Sequence, residues 1–316
     1  MHYLERAFEL AERGRGATHP NPIVGAVVAQ GHELVGEGWH ERAGRPHAEV
    51  NALAAAGEAA RGATLFVTLE PCSHHGRTPP CTGAILEAGI ARVVAGAPDP
   101  NPTAQGGLET LRSAGVEIDV ADGELGFRCR QQNEAWRTWV AQGRPFVTYK
   151  AAITLDGRVT VPGERWVSGE DSRRLVHELR AQTDAVAVGM GTVRADEPRL
   201  TARDVGATRQ PRRLAFGRGP LPPGSELELR SGRLADELAA LAAEGVQSLL
   251  LEGGPTLAAA FLEADLVDKL LLFVAPTVAG AGAGLTAQLT NPLRLSRLSA
   301  RSVGEDLLLS AYVHEP

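Results

Sequence analysis

Two short stretches of the sequence hold side chains that can bind a transition metal and move a proton. His47 and Glu49 stand two positions apart in "RPHAEV", and Cys72 and Cys81 are the first and last residues of "CSHHGRTPPC". An imidazole and two thiolates are good zinc ligands. Three protein ligands leave a fourth position for water, which is typical of a catalytic rather than a structural zinc site.

Glu49 is the predicted general acid–base group. Zinc lowers the pKa of a bound water to roughly 7, and a neighbouring carboxylate can pass the proton to a leaving group. A predicted helix start at Glu49 favours an anion, and the predicted helix start at Cys81, after Pro80, favours a thiolate. A His-x-Glu pair with a downstream Pro-Cys and second cysteine is typical of zinc deaminases, which usually have two residues between the cysteines.

Other interpretations of these residues stay open. A His-x-Glu pair is usually a solvated surface pair, and two cysteines alone are usually buried apolar thiols. His74 or His75 could supply a fourth ligand and close the site, which would make it structural. Cys129 lies far from these motifs and is interpreted as a packing residue.

A second pattern that could bind a ligand is "SLLLEGGPTLAAAFL", where an apolar strand ends in Glu252-Gly253-Gly254 and a helix begins at Pro255. Bare amides at a helix start behind two glycines can hold a phosphate. The alternative is a tight strand–helix turn without a ligand. The segment "GMGTVR" has only the first two glycines of a dinucleotide fingerprint, which is weak evidence.

Composition restricts the classes of protein. With 316 residues, 43% hydrophobic and 22% charged, the chain is long enough for two packed domains. A net charge of −6 argues against nucleic-acid binding, although Arg209, Arg212 and Arg213 could bind one small anion. Three cysteines indicate a reducing compartment, and we expect a cytoplasmic protein with no membrane partner, since no apolar run reaches about 18 residues.

Short apolar strands alternate with helical segments almost throughout, which predicts an α/β fold. The best break is "AQGRP", which places a domain at 1–143 and another at 144–316. Strands are predicted at 23–29, 34–39, 64–69, 91–97, 116–120, 146–153, 184–190, 212–216, 247–251, 269–276 and 306–313. Helices are predicted at the N-terminus, 48–60, from Thr82, 107–114, 127–140, 170–181, 233–244 and 256–264.

The first half resembles a known family. "THPNPIVGAVV", "GEGWHERAGRPHAEVNAL", "TLFVTLEPCSHHGRTPPCTGAILEAGIARVV" and "DPNP" are similar to the deaminase half of the bifunctional riboflavin-biosynthesis deaminase/reductases, whose cysteines have this long spacer. The resemblance implies a cytidine-deaminase-like three-layer α/β/α domain with one Zn²⁺. It also implies deamination of 2,5-diamino-6-(5-phosphoribosylamino)pyrimidin-4-one, with substrate contacts from Asn21, His40 and His74.

The second half is similar to the reductase half of that family. "YKAAITLDGRVT", "RWVSGEDSRRLVHELRAQTDAVAVGMGTVRADEPRLTAR" and "LLLEGGPTLAAAFLEADLVDKLLLFVAP" carry the resemblance, which implies a dihydrofolate-reductase-like α/β domain and NADPH-dependent reduction of a ribosyl chain to ribityl. It implies NADPH contacts from Ile153, Trp166, Ser168, Thr192, Asp196, Gly254, Pro255, Thr256, Leu257, Ala258, Ala259 and Ala260. It implies substrate contacts from Arg180, Leu200, Arg203 and Glu252, while Lys150 and Asp156 would shape the site.

The second half also departs from the family pattern. Gly217 stands where the family strand ends in an aspartate, "GERW" offers Arg165 where the family has a serine, and a strand and loop are missing after Gly219. One alternative is therefore a deaminase with a degenerate, structural reductase domain. Two further alternatives are a deaminase of nucleosides or tRNA, and a zinc-stabilised binding module. We expect small-molecule substrates, no nucleic acid, and a homo-oligomer.

Overall fold

The structure is a computed structural model that describes residues 2–74 and 79–316. The chain forms two compact units, one that extends to Gln142 and takes in Pro316, and one that comprises Gly143–Glu315. Each unit has a β-sheet of its own, of five and eight strands respectively. Among the described residues, no helix has both the length and the apolarity needed to cross a bilayer.

The sheet of the first unit has the strand order β2-β1-β3-β4-β5, in which β1 is antiparallel to β2 and β3, and the last three strands are parallel. Its strands are β1 (Gly25–Gln30), β2 (Glu33–Trp39), β3 (Thr64–Val67), β4 (Arg92–Ala95) and β5 (Glu117–Val120). Its helices are α1 (His2–Glu12), α2 (Ala48–Ala56), α3 (Cys81–Glu87), α4 (Gly107–Ser113), α5 (Gly123–Gln132) and α6 (Glu134–Gln142).

Helices cover both faces of this sheet. Val28 of β1 packs on one face with residues of α2 and α3, and Val27 packs on the other face with residues of α1 and α5. Because successive side chains of a strand point to opposite faces, a strand covered on both sides is apolar throughout, as "GAVVA" is. The predicted three-layer α/β/α arrangement is confirmed.

Glycines in β2 allow α2 to lie directly on the sheet. A Cβ atom at Gly36 would lie 2.3 Å from the carbonyl oxygen of Ala52, and one at Gly38 would lie 2.5 Å from that of Ala48. Real Cβ atoms do not approach so closely, so only glycine permits this packing. The close contact fixes the start of α2, where His47 and Glu49 lie.

The predicted helix over 127–140 is wrong in one respect, because the structure divides it into α5 and α6. Asn133 separates the two helices, with φ −118° and ψ 26°. Its side chain accepts a hydrogen bond from the Ile23 amide at 2.9 Å and donates one to the Ile23 carbonyl at 2.8 Å. These two buried hydrogen bonds satisfy the backbone N–H and C=O groups of Ile23, just before β1. Leaving those groups unpaired would cost more free energy than the interruption of the helix at Asn133.

The predicted helix over 48–60 is also shorter than expected. It ends at Ala56, and a 3₁₀ turn follows.

The sheet of the second unit has the order β12-β13-β11-β6-β10-β7-β8-β9, with parallel pairing from β11 to β9 and antiparallel pairing of β11, β13 and β12. Its strands are β6 (Phe146–Thr154), β7 (Ala185–Gly189), β8 (Arg212–Phe216), β9 (Glu228–Arg230), β10 (Ser248–Leu251), β11 (Lys269–Ala275), β12 (Ser296–Val303) and β13 (Asp306–Tyr312). Its helices are α7 (Glu170–Gln182), α8 (Met190–Asp196), α9 (Leu234–Ala243) and α10 (Pro255–Glu263).

Both faces of this second sheet are also covered. Leu238 and Leu241 of α9 and Phe261 of α10 belong to one buried cluster, whereas Val176 of α7 and Val193 of α8 lie in clusters on the other face. The α/β class predicted for this half is confirmed.

Two strands and one helix of this unit escaped the sequence analysis. The short strand β9 lies in the region after Gly219, where we expected a missing strand, and it has no apolar alternation. Ion pairs such as Arg212–Glu228 at 2.6 Å connect it to β8. Strand β12 is an exposed, mostly polar strand at the sheet edge, and α8 begins in the glycine-containing segment "GMGTVR". Contacts distant in sequence therefore determine these elements.

Candidate active sites

The first candidate site lies where the starts of α2 and α3 meet. His47 is the residue before α2, and Cys81 is the first residue of α3 after Pro80. The ring nitrogen Nδ1 of His47 lies 3.3 Å from Cys81 Sγ and 3.6 Å from Cys72 Sγ, and the Cys81 amide donates to Cys72 Sγ at 3.4 Å. The three ligand atoms all lie within 4.8 Å of one another.

These separations fit zinc. Tetrahedral zinc with Zn–N of about 2.0 Å and Zn–S of about 2.3 Å requires N···S separations of about 3.6 Å. Cys81 is buried and Cys72 is half-buried, so the ligand atoms are screened from bulk water. Within the described residues, the only group of at least three clustered metal-type ligands is this set of three. His74 is exposed, and His75, the other proposed fourth ligand, lies outside the described residues.

The hydrogen bond between the two thiols shifts their pKa values in opposite directions. A hydrogen bond from Cys81, together with His47, lowers the pKa of Cys72 to about 4, whereas the same thiol–thiol hydrogen bond and burial raise the pKa of Cys81 far above its usual value. The hydrogen bond to Cys72 raises the pKa of the His47 ring. Zinc takes thiolates and neutral imidazole, so zinc binding must expel these protons.

Glu49 lies in the first turn of α2, and only 3% of it is exposed. Burial raises the pKa of its carboxyl group, partly offset by the neighbouring His47. A carboxyl group that keeps its proton to a higher pH than usual is suited to exchange protons near neutrality. Glu49 therefore has the environment of a general acid–base group.

A cavity of about 410 Å³ adjoins these residues. Its wall includes all the deaminase residues named from the sequence except the fully buried Cys81: Asn21, His40, His47, Glu49, Cys72 and His74. His40 Nδ1 lies 3.1 Å from the Pro46 carbonyl oxygen and Nε2 lies 3.3 Å from Asn21 Nδ2. Burial lowers the pKa of His40. A neutral ring that donates to Pro46 accepts from the Asn21 amide, which fixes the orientation of both side chains.

Sequence reasoning did not single out Glu70 and Asp99, which also line this cavity. The Glu70 carboxylate accepts hydrogen bonds from the amides of Asp99, Gly106 and Leu108 at 2.9, 2.9 and 3.1 Å. Burial raises the pKa of Asp99 to about 6. The sequence contained a signal for Glu70, which is a charged residue directly after an apolar strand in "TLEPC". Asp99 is the first residue of "DPNP", a segment that we used only as evidence of the family resemblance.

The second candidate site lies after β10. Glu252 accepts two hydrogen bonds from Arg180, from Nε at 2.6 Å and Nη2 at 2.9 Å, and its carboxylate lies 3.9 Å from Lys150 Nζ. Burial raises the pKa of Glu252, but the charges of Lys150 and Arg180 outweigh it and the net shift is downward. Burial lowers the pKa of Lys150. The predicted substrate residues Arg180 and Glu252 are thus each other's partners.

Thr201 connects Arg203, another predicted substrate residue, to the pair of Arg180 and Glu252. Its carbonyl accepts from Arg180 Nη1 at 3.2 Å, and its hydroxyl accepts from Arg203 Nη1 at 2.8 Å. Leu200 is only 3% exposed and has φ 53°, and its side chain packs in the core. Any ligand contact of Leu200 is therefore through its backbone.

The predicted phosphate turn has the expected local form. Gly254 precedes α10 with φ −67°, and Pro255 is the first residue of that helix. A Cβ atom at Gly254 would lie 3.6 Å from Thr192 Oγ1, so the turn after β10 adjoins α8. The other predicted residues of this turn and helix differ in exposure: Thr256 and Ala260 are exposed, Leu257 is half-buried, and Ala258 and Ala259 are buried.

The remaining predicted NADPH residues lie elsewhere in the second unit. Ile153 is buried on β6. Trp166 is 54% exposed, with the Arg165 and Arg173 guanidinium groups 5.0 and 5.6 Å from its ring, and the Ser168 carbonyl accepts from Arg173 Nη1 at 2.6 Å. Asp196 is exposed at the end of α8. Among the described residues, the hydrogen bonds and ring contacts given for Trp166 and Ser168 are with Arg165 and with Arg173 of α7, and none is with the turn after β10.

Asp156 supports a neighbouring loop. Thr154 Oγ1 donates to its carboxylate at 2.6 Å, and the amides of Ala279 and Gly280 donate at 3.0 and 2.9 Å. The hydrogen bond from Thr154 and those from the loop amides lower the pKa of Asp156 to about 2. The carboxylate thereby anchors the glycine-rich loop that starts at Ala279.

Comparison with known proteins gives a match for each half. Residues 1–97 match the family model of the cytidine and deoxycytidylate deaminase zinc-binding region, and residues 145–309 match that of the RibD C-terminal domain. The riboflavin biosynthesis protein RibD of Aquifex aeolicus is 40% identical over 97% of this chain and 96% of its own. That of Escherichia coli is 40% identical over 89% of each chain.

Solved structures are similar over the same length. RibD from Acinetobacter baumannii has a TM-score of 0.83 and 34% identity, covering 98% of both chains. A diaminohydroxyphosphoribosylaminopyrimidine deaminase/5-amino-6-(5-phosphoribosylamino)uracil reductase from Thermotoga maritima has a TM-score of 0.82 and 34% identity, covering 98% of this chain and 97% of its own.

Proposed function

Because this chain belongs to the RibD family of bifunctional riboflavin-biosynthesis enzymes, we propose that its two units catalyse successive reactions on one pyrimidine. The first reaction is the hydrolytic deamination of 2,5-diamino-6-(5-phosphoribosylamino)pyrimidin-4-one, which releases ammonia. The second is the NADPH-dependent reduction of the ribosyl chain of 5-amino-6-(5-phosphoribosylamino)uracil to a ribityl chain. The family match over 145–309 favours this function over a deaminase with a structural second domain.

His47, Cys72 and Cys81 would hold the zinc ion, which supplies a Lewis acid that lowers the pKa of water to roughly 7. Glu49 moves the protons of the reaction. Its buried carboxylate takes a proton from the attacking water and, as the carboxylic acid, delivers it to the departing amino group. The raised pKa of Glu49 supports both roles, because the group must hold the proton between the two transfers.

Asn21 and His40 would orient the pyrimidine. One Asn21 N–H points to His40 Nε2, which leaves the amide oxygen and the second N–H for a ligand. A heterocycle with adjacent donors and acceptors is recognised well by such an amide. His74 lies on the wall of the same cavity and is exposed, which suits a contact with the more polar ribose phosphate.

In the second unit NADPH would supply the hydride. The amides at the start of α10 would hold its pyrophosphate, because Gly254 has no side chain to block close approach to the backbone. We assign Thr192 to the same ligand because it adjoins Gly254, and we keep Ile153, Trp166, Ser168 and Asp196 as proposed contacts. The substrate would lie near Glu252, Arg180 and Arg203, with Lys150 completing the charge cluster.

One observation carries the deaminase assignment: three zinc-type ligand atoms lie within 4.8 Å of one another, and the same cavity holds a buried carboxyl group. The test is to incubate the protein with the diaminopyrimidine phosphate, with and without NADPH, and to identify products by mass spectrometry. We expect ammonia and the aminouracil without NADPH, and the ribityl product with it. Unchanged substrate would refute the proposal, and aminouracil that persists with NADPH would establish the deaminase-only alternative.

We also propose a cytoplasmic homo-oligomer without nucleic-acid or membrane partners. The net charge of −6 supports the absence of nucleic acid. The edge position of β12 supports self-association, since Leu298 is 71% and Leu307 of the adjacent strand 40% exposed. Light scattering that gives the mass of a 33.3 kDa monomer would contradict the oligomer.

A further inference from the structure

A strained loop lies between α8 and β8. Leu200 and Asp204 have φ angles of 53° and 61°, in the left-handed region that residues with side chains rarely adopt. Residues 200–204 belong to no helix or strand, so no ladder of backbone hydrogen bonds fixes their conformation. Strained backbone of this kind persists only where the surrounding structure holds it, and it is most frequent at ligand sites. The side chains that hold this segment, the 200–204 loop, therefore bear on function.

The side-chain amide of Gln210 holds the centre of the 200–204 loop. Its Nε2 donates to the Ala202 carbonyl oxygen at 2.9 Å, and its Oε1 accepts a hydrogen bond from the Ala202 amide at 2.8 Å. Ala202 is only 5% exposed, and a buried backbone group without a partner destabilises the fold. One side chain thus pairs both backbone groups of Ala202 and takes the place of a neighbouring strand.

A second polar side chain holds the backbone on either side of Ala202. Nδ1 of His177, on α7, lies 3.0 Å from the Thr201 carbonyl oxygen and 3.3 Å from the Arg203 amide nitrogen. Burial, together with the nearby charge of Arg180, lowers the pKa of His177, so its ring is neutral at pH 7. The neutral ring donates to the Thr201 carbonyl in one tautomer and accepts from the Arg203 amide in the other, so Nδ1 binds the loop in both.

The loop that these two side chains hold carries Arg203, one of the proposed substrate residues. Arg203 is exposed, and its Nη1 donates to the Thr201 hydroxyl at 2.8 Å. Within the described part of the chain it pairs with no carboxylate, so most of its N–H donors remain available for a ligand. The Thr201 carbonyl accepts from Arg180 Nη1 at 3.2 Å. The loop therefore also determines where Arg203 lies relative to Arg180 and its partner Glu252.

Other arginines near this loop are neutralised. Three that we considered for a small-anion site are each paired with a carboxylate: Arg209 with Asp184, Arg212 with Glu228 and Arg213 with Glu226. Their charges are compensated, which makes them poor ligands for an anion. Arg203 retains its positive charge and is the better candidate.

We propose that Gln210 and His177 are positioning residues for the reduction, which hold the 200–204 loop so that Arg203 binds the phosphate group of the substrate. The assignment rests on the proposed reductase function, and neither residue needs to touch the substrate. Guanidinium groups bind phosphate through several directed, charge-assisted hydrogen bonds, so affinity depends on where the loop holds them. A loop that had to become ordered on binding would lower the affinity. Because the phosphate is on C5 of the sugar and the hydride goes to C1, positioning of Arg203 affects KM rather than kcat.

The test measures kcat and KM for the aminouracil substrate at saturating NADPH, on the full chain, for the wild type, Gln210→Met, Arg203→Met and the double variant. Methionine is unbranched and lacks the amide that binds Ala202. We expect Gln210→Met to raise KM about tenfold and to change kcat by less than about twofold, as for a loss of uniform binding. In the Arg203→Met background the same substitution should change KM by less than about twofold, because Gln210 acts through Arg203.

Substitutions of His177 give a second comparison. Asparagine places a polar atom close to the position of Nδ1, so His177→Asn should keep KM within about threefold of the wild type, whereas His177→Leu should raise it about tenfold. Gln210→Glu retains an acceptor for the Ala202 amide but no donor for its carbonyl; it should raise KM too, and it replaces Gln210→Met if that variant does not fold. Gln30→Met, exposed at the end of β1 in the other unit, is the matched control and should leave kcat and KM unchanged.

The phosphate-free substrate, prepared with a phosphatase, separates positioning from a general structural role. Gln210→Met should reduce this compound as well as the wild type does. A fall in kcat at unchanged KM, equal effects in both Arg203 backgrounds, or an equal loss with the phosphate-free substrate would overturn the assignment. A wild type that does not oxidise NADPH with the aminouracil would instead reject the reductase function itself, and this assignment with it.

Discussion

At the scale of single residues, the first site depends on a set of short contacts. His47, Cys72 and Cys81 hold one another through hydrogen bonds at separations close to those that tetrahedral zinc requires. Glu49 lies two residues from His47 and is buried. The protein thus fixes His47 and the proton carrier at the start of α2 and Cys81 at the start of α3, which limits the reorganisation needed during the reaction.

We predict that Glu49→Gln keeps zinc and loses deamination. The amide fits the same buried space but cannot exchange protons, and such groups typically contribute about 10²–10⁴-fold to rate. Metal analysis should still find about one zinc per chain, while the rate of ammonia release falls by that factor. Glu58→Gln, at an exposed position just after α2, is the control and should retain full activity. A Glu49→Gln protein with near wild-type activity would exclude Glu49 as the acid–base group.

His314 makes a pH-dependent contribution to the stability of the second unit. Its Nδ1 lies 3.3 Å from Asp268 and its Nε2 lies 3.0 Å from Asp265, and the hydrogen bond to Asp268 raises the pKa of the ring. The carboxylate of Asp268 is also paired with Arg144, at 2.6 Å. The protonated ring therefore stabilises the folded state fully below its unfolded pKa of about 6.5, and this contribution disappears as the pH rises through the higher folded value.

We predict that His314→Gln removes this part of the pH dependence. In urea unfolding of the wild type, the free energy of unfolding should fall as the pH increases from about 6 to 8, by no more than about 1 kcal/mol because the ring is partly exposed and screened. The variant should lack this fall. His32→Gln, an exposed substitution in the other unit, should behave as the wild type. An identical pH profile for wild type and His314→Gln would contradict the assignment.

At the scale of elements, the second site depends on the turn between β10 and α10. Its two glycines serve different purposes. A Cβ atom at Gly253 would lie 2.9 Å from Leu257 Cδ2 and 3.1 Å from Leu257 Cβ, so a side chain there has to displace Leu257. At Gly254 the nearest atom would be Thr192 Oγ1 at 3.6 Å and φ is −67°, so the fold tolerates a side chain there. A requirement for glycine at 254 would therefore come from the ligand.

We predict that Gly254→Leu abolishes NADPH binding and reductase activity, because the side chain blocks the approach of the pyrophosphate to the amides of α10. Its melting temperature should stay within a few degrees of the wild type, and deamination should be unchanged. Gly253→Ala is the contrasting variant and should lower the melting temperature through its contact with Leu257. If Gly254→Leu binds NADPH normally, the pyrophosphate does not lie at this turn. If it loses deamination as well, the two activities are not independent.

At the scale of the whole molecule, the chain carries two separate sets of functional residues. The zinc-type ligands and Glu49 lie in the unit that ends at Gln142, and the turn after β10 lies in the unit Gly143–Glu315. Each unit has its own sheet and buried clusters. Each set of residues can therefore be inactivated by itself.

We predict that an equimolar mixture of Glu49→Gln and Gly254→Leu converts the diaminopyrimidine phosphate into the ribityl product in the presence of NADPH. The aminouracil released by one variant would reach the intact reductase unit of the other through solution. The ribityl product is quantified by chromatography; Gly254→Leu alone should form none, and Glu49→Gln alone should form it only at its residual deamination rate. A mixture that accumulates aminouracil while the reductase unit accepts added aminouracil would contradict free exchange and indicate transfer within one chain.

The sequence by itself indicated the chemistry wherever the functional residues are neighbours in the chain. His47 and Glu49 are close because two residues at the start of one helix must be, and Pro80 places Cys81 at the start of another. The alternation of apolar strands and helices predicted the α/β class, because the spacing of apolar residues within a short segment distinguishes a helix from a strand. Resemblance of whole segments to one family then indicated both reactions.

Only the tertiary structure decided features that join distant residues. Asn133 ends a helix because its side chain binds Ile23, 110 positions earlier, and β9 exists because it pairs with β8. His177 binds the 200–204 loop because the packing of α7 on the second sheet places them side by side. No period or motif encodes these contacts. They depend on strand order and register, which arise from the packing of the whole unit.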